Sequence, residues 1–183
     1  VCSSDQIACM AKTPTLPEII VGGARIKLTQ QMYVAAGGEA TIYKHQGRAL
    51  RLYHDPVNMP PVARLNELSR ITLPNVVKPI DVITDAKSGA ALGFSMDFIP
   101  DTEPLCRFFT MAFKRANNIS PAIIGELVIA IQKTVDQLIT EGFLPVDLNE
   151  LNILPSLKDF KPFFIDIASW ATPSFPATAI MEN

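Results

Sequence analysis

Histidine is scarce, with only His45 and His54 among 183 residues. A His-rich metal centre or a histidine-based catalytic triad therefore has almost no material to work with. Cysteine is odd in number, and Cys2, Cys9 and Cys106 have no metal-ligand spacing. That speaks against a disulfide framework and for reduced thiols. A cationic excess is missing too: 16 Lys+Arg against 18 Asp+Glu give a formal net charge of -2. Nucleic-acid binding through bulk charge needs clustered cations, so nucleic acid is not an expected partner. Every apolar run is broken by charge, Pro or Gly short of the roughly 20 residues a membrane span needs, so no membrane partner is expected either. The opening VCSSDQIACMAK lacks a basic stretch followed by an apolar one and reads as no secretory signal. The expected location is cytoplasmic.

What is present is globular: 48% hydrophobic and 19% charged positions allow a sizeable core. Residues 1–18 are small, polar and proline-containing and read as a loose leader. From Ile19 the pattern turns strand-like, as in RIKLTQQMYVAA. TIYKH and ALRLYH then flank Gly47, which suggests a β-meander. Residues 60–72 place Val62, Leu65, Leu68 and Ile71 at helical spacing behind two prolines, and Leu73-Pro74-Asn75 stops the pattern. VVKPIDVIT and ALGFSMDFI read as two further strands around the turn DAKSG.

From 105 to 143 the texture is helical. Ser120 suits an N-cap and Pro121 the first helical position. Ile124, Leu127, Val128, Ile131, Val135 and Leu138 form one apolar stripe, and Gly142 suits the C-terminal cap. Short strands at NIL and PFFIDI follow. A strand-rich part with one helix, then a helical part with a hairpin, predicts an α+β, two-lobed arrangement.

The chemistry is concentrated in GFLPVDLNELNILPSLKDFKPFFIDIASW. Asp147 and Asn152 stand five apart behind a helix, and Asp166 ends the last apolar strand. Two carboxylates and an amide are hard-oxygen ligands suited to Mg²⁺, which takes one or two carboxylates plus phosphate oxygens and water. A carboxylate is also what phosphoryl transfer needs to receive the acceptor hydroxyl's proton. A calcium loop is excluded by the missing central Gly and by Lys158 at the closing position.

This segment resembles the protein-kinase-like superfamily, and most closely its divergent bacterial and phage-type serine/threonine kinase-like members. Asp147 to Asn152 matches the catalytic-loop pattern D-x-x-x-x-N, and FFIDIAS stands where the metal-binding segment belongs. The resemblance implies a two-lobed kinase-like fold: an antiparallel β-rich N-lobe with hinge at 19–99 and an incomplete helical C-lobe at 100–183. It implies Mg·ATP as cofactor and a protein substrate or regulator as partner. Asp147 would be the catalytic base, Asn152 a metal ligand and Asp166 the main Mg²⁺ ligand. Val34, Ile42 and Ala49 would line the adenine site, with Leu154 as its floor. Met96 takes the gatekeeper place, and Asp97, Phe98 and Ile99 carry backbone groups toward adenine. Gly37 and Gly38 would let backbone N–H groups approach phosphates.

Several positions depart from the family pattern. Ala35 and Ala40 replace two glycines of the phosphate loop, and Arg51 replaces the strand lysine that pairs the phosphates. Arg keeps the charge but is longer, planar and forked. Lys44 on the preceding strand is an alternative cation. Glu67 is either the helix partner of that cation or an ordinary exposed charge. Gly37-Gly38 is either a phosphate cradle or a plain hairpin turn. Pro145 and Val146 replace the His-Arg pair before the aspartate, and Ile167 and Ala168 replace the Phe-Gly after Asp166. The sequence stops shortly after Asp166, within the activation segment, as a fragment or a reduced fold does. Two functions follow: a Ser/Thr phosphotransferase, or a pseudokinase serving as a nucleotide-binding or protein-interaction module.

Overall fold

The computed structural model of the chain describes residues 17–176. Cys2, Cys9 and nearly all of the expected leader lie outside the described residues, and Glu18 already belongs to the first strand. The strands β1 (Glu18–Val21), β2 (Ala24–Lys27), β3 (Tyr33–Ala36), β4 (Ala40–His45), β5 (Arg48–Tyr53), β6 (Val82–Asp85) and β7 (Ala91–Asp97) form one sheet. Its order is β2-β1-β6-β7-β5-β4-β3, and every pairing is antiparallel. Gln46 and Gly47 join β4 to β5 with φ of 47° and 78°, the doubly positive turn that matches strand twist. Two apolar clusters flank the sheet. Ile19, Tyr43, Leu50 and Ile83 belong to one, and Tyr53, Phe94 and Leu65 to the other.

At Gly93 a side chain on β7 would run into the β5 main chain. A Cβ on Gly93 would stand 1.8 Å from the Arg51 carbonyl oxygen, so this strand position admits only glycine. The β6–β7 register also shifts beside it, between Ile83 and Thr84.

Helix α1 (Val62–Leu68) buries Leu65 and Leu68. It is shorter than the 60–72 expected. Arg70 and Ile71 donate to Glu67 and Leu68 carbonyls three residues back, tightening the last turn, and Pro74 bars Leu73 from helical backbone. Only the end of VVKPIDVIT is a strand of the sheet. Pro79 has no N–H to give a ladder, and upstream of it Val77 donates to the Phe164 carbonyl at 2.8 Å instead.

The remainder holds α2 (Leu105–Phe108), α3 (Met111–Ala116), α4 (Pro121–Thr140) and the hairpin β8 (Ile153–Pro155) and β9 (Pro162–Phe164). The continuous helical texture is thus broken twice. One break falls at Thr110, the other near Asn118, whose φ is 55°. Ser120 caps α4 by accepting from the Ile123 N–H. At its other end Phe143 donates to Leu138 and Gly142 to Ile139, with Gly142 at φ 86°, a complete Schellman cap. Of the expected stripe, Leu127 and Leu138 are buried against Phe108, Phe164 and Trp170, whereas Val128 is 49% exposed. The architecture is α+β, with a large curled antiparallel sheet and few helices. Among the described residues no helix is long and apolar enough to cross a membrane.

Candidate functional site

Two turns bring the acidic residues together. The chain leaving α4 is tied down by Leu144 and Ala171, which exchange N–H···O bonds of 3.1 and 3.0 Å. Asp147 follows with φ 59°, and Asp166 ends the hairpin with φ 54°. Left-handed backbone at a non-glycine residue persists only where its surroundings enforce it. At Asp147 the enforcing residue is Asn149. Its Nδ2 donates to Asp147 Oδ1 at 3.2 Å, while its Oδ1 accepts from the N–H of Leu151 at 2.9 Å and of Asn152 at 3.2 Å. Asn152 Nδ2 donates to the Asp147 carbonyl at 3.1 Å, which leaves its amide oxygen as the atom that could coordinate a cation. The Asn152 carbonyl accepts from Ile165 N–H at 2.9 Å, fixing Asp166 beside it.

A cavity of about 280 Å³ opens between the sheet and the hairpin. Val34, Ile42, Ala49 and Arg51 come from β3, β4 and β5. Met96, Asp97, Phe98 and Ile99 form its inner edge, and Asn152, Leu154 and Asp166 its far wall. Val77 and Ile165 also line it and were missed in the sequence, where they read only as strand residues. The Phe98 N–H is committed to the Gly47 carbonyl at 3.0 Å. A second cavity, about 400 Å³, shares Ile42, Arg51 and Asp166 and adds Gly37, Gly38, Glu39, Ala40 and Asp147. The first is mostly apolar and the second polar. A larger hollow of about 650 Å³, between α3 and α4, contains none of these residues and no carboxylate.

Arg51 and Asp166 form an ion pair across the two cavities. The Arg51 side chain is only 12% exposed, its guanidinium lies 5.2 Å from the Tyr53 ring centre, and its Nε is buried without a partner. Burial raises the Tyr53 pKa above its ordinary 10.0, with the Arg51 charge opposing the shift. Lys44 is elsewhere, its Nζ 4.0 Å over the Phe98 ring.

Glu67 lines neither cavity and does not meet Arg51. It accepts from the Ser174 N–H at 3.2 Å, and hydrogen bonding from Ser174 holds its carboxyl below the usual range. One turn earlier on α1, Arg64 Nη2 donates at 2.6 Å to both the Ser169 and Trp170 carbonyls. Helix α1 therefore grips the segment after Asp166. Neither Arg64 nor Asn149 carries a motif that marks it: Arg64 acts on main-chain carbonyls, and Asn149 on main-chain N–H groups as well as the Asp147 carboxylate.

Two further contacts shape the glycine turn. Gly37 N–H is committed to the Ala40 carbonyl at 2.9 Å. His54 Nδ1 donates to the Gly38 carbonyl at 3.2 Å, and in the neutral ring Nε2 then accepts from the Thr41 hydroxyl at 2.9 Å.

For a divalent cation the donor set is the Asp166 carboxylate and the Asn152 amide oxygen. This suits a magnesium ion that draws its other ligands from substrate oxygens and water. Among the described residues no group of three or more His, Cys, Asp or Glu side chains is placed to hold a metal by itself. Compared with models of protein families and with curated proteins, the chain matches none of either.

Proposed function

We propose that the chain is a divergent protein-kinase-like domain that binds Mg·ATP and transfers the γ-phosphoryl group to a Ser/Thr hydroxyl. One observation carries this reading. Apart from Val77 and Ile165, every residue lining the 280 Å³ cavity belongs to the set that the resemblance assigns to adenine, phosphate or metal. Asp147 with Gly37 and Gly38 extends the same cleft into the polar cavity that follows.

In this reading the apolar chamber takes the base and the polar chamber takes the phosphates. Arg51 neutralises phosphate charge with a planar fork suited to paired oxygens. Asn152 and Asp166 would hold the metal, which when bound supplies further charge neutralisation at the phosphates. Asp147, fixed by Asn149, orients the acceptor hydroxyl and takes its proton. Positioning and electrostatics supply most of the rate.

The Arg51–Asp166 pair and the diversion of Glu67 to Ser174 favour a second reading, a pseudokinase acting as a nucleotide-binding or protein-interaction module. A thermal-shift series with Mg·ATP, ATP plus chelator and Mg·GTP tests both. Ligand at 100 times its dissociation constant stabilises by about 2.7 kcal/mol, a rise of several degrees for a domain of this size. The expected result is a shift with Mg·ATP whose magnesium-dependent part disappears in Asp166→Asn. No shift at millimolar nucleotide refutes both nucleotide readings. Binding without phosphoryl transfer to a Ser/Thr peptide library favours the module.

A further inference from the structure

The ion pair at the centre of the cleft is more than a departure from a pattern. Asp166 is the chief hard-oxygen donor in the site, and it is already matched by a cation built into the chain. We propose that Arg51 and a divalent metal are alternative partners of Asp166, so that the metal enters only once nucleotide phosphates have drawn the guanidinium away. The proposal rests on the nucleotide reading above.

The surroundings support a gate of this kind. Arg51 is held on β5 between Ile42 on β4 and Phe94 on β7, so its Cα is fixed and only the side chain can change partner. Among the described residues Asp166 is its one acidic partner, since Glu67 is engaged with Ser174. Its Nε is buried without a partner, an unmet donor that an incoming phosphate would satisfy together with an Nη. Both cavities share Arg51 and Asp166, so a nucleotide spanning them meets the guanidinium on its way in.

The test uses the full chain and Mn²⁺ alone, with free Mn²⁺ read by electron paramagnetic resonance. Wild type should bind Mn²⁺ weakly. Arg51→Gln should bind it at least about tenfold more tightly, the scale of one charge-assisted hydrogen bond. Adding Asp166→Asn to Arg51→Gln should abolish the gain. Arg51→Lys, a milder change whose shorter stem weakens the pair, should also tighten Mn²⁺ binding and serves if the glutamine variant does not fold. A separate arm measures ATP in chelator, where Asp166→Asn should bind more tightly than wild type because it frees Arg51 for phosphate. Equal Mn²⁺ affinity in wild type and the folded Arg51 variants overturns the proposal, as does no Mn²⁺ binding by those variants at millimolar metal. If ATP binds neither wild type nor Asp166→Asn, the nucleotide reading falls, while the Mn²⁺ arm still decides whether Arg51 blocks Asp166.

Discussion

Substituting Gly93 by alanine tests the geometry that places Arg51. A methyl carbon there would stand 1.8 Å from the Arg51 carbonyl oxygen, 2.9 Å from its carbonyl carbon and 3.1 Å from Leu52 Cα. A comfortable carbon–oxygen contact is about 3.3 Å, so the strands must part by about 1.5 Å. All three obstacles are main chain, and no rotamer relieves them. A separation of that size at the usual ~4.8 Å strand spacing takes nearby N–H···O bonds beyond hydrogen-bonding distance. Two or so lost ladder bonds at about 1 kcal/mol each, with the overpacking itself, come to about 3–5 kcal/mol. For a domain of this size that lowers Tm by roughly 10 °C. Urea unfolding followed by circular dichroism and by the fluorescence of Trp170, the single tryptophan, measures the loss. Gly125→Ala in α4 is the control. Its added methyl meets nothing within 4 Å, and helix propensity makes it neutral or stabilising by about 0.5–1 kcal/mol. A Gly93→Ala protein within about 0.5 kcal/mol of the parent, with an unchanged urea slope, would show that avoiding the β5 main chain is not what the glycine serves.

Arg64→Met keeps much of the apolar stem but removes the donors to the Ser169 and Trp170 carbonyls. It should cost about 2 kcal/mol in urea unfolding and speed proteolytic cleavage between residues 169 and 176, and unchanged cleavage would refute the grip of α1. Tyr53 has a folded-state pKa raised above 10.0 by burial, so its neutral form contributes stability in full below pH 10. That contribution is lost as pH rises through the folded-state value. Tm measured from pH 8 to 11 should therefore fall less steeply in Tyr53→Phe than in the parent.

Much of the fold was legible where a local rule and a tertiary demand agree. Ser120, Pro121 and Gly142 bound α4 as capping chemistry requires, and the Gly47 turn sits between two alternating strands. The polar residues of the cleft could be grouped in advance, because a short hairpin leaves Asn152 and Asp166 few places to go. The errors arise where distant backbone decides. Residues 76–81 read as strand, yet Val77 is claimed by Phe164, far away in the chain. Glu67, open in the sequence between a partner of the cleft cation and an ordinary exposed charge, accepts from the Ser174 N–H, and nothing near Glu67 in the sequence announces that donor. Gly93 looks like a weak spot in a good strand, and its reason lies in the carbonyl of another strand.

Arg64 and the Leu144–Ala171 bridge share a property with consequences over evolutionary time. Both hold the segment after Asp166 by its peptide groups alone: Arg64 through the Ser169 and Trp170 carbonyls, Leu144 through the Ala171 amide and carbonyl. A peptide group is the same whatever side chain it carries. Exposed Ser169 offers its carbonyl to Arg64 whatever its side chain, and its exchange gives up only the 3.4 Å bond from its hydroxyl to the Val146 carbonyl, while the arginine cannot be exchanged. Paired substitutions, the usual trace of two residues in contact, should not arise between Arg64 and Ser169, and that position can vary while buried Trp170, Ala171 and Thr172 hold the path of the strap.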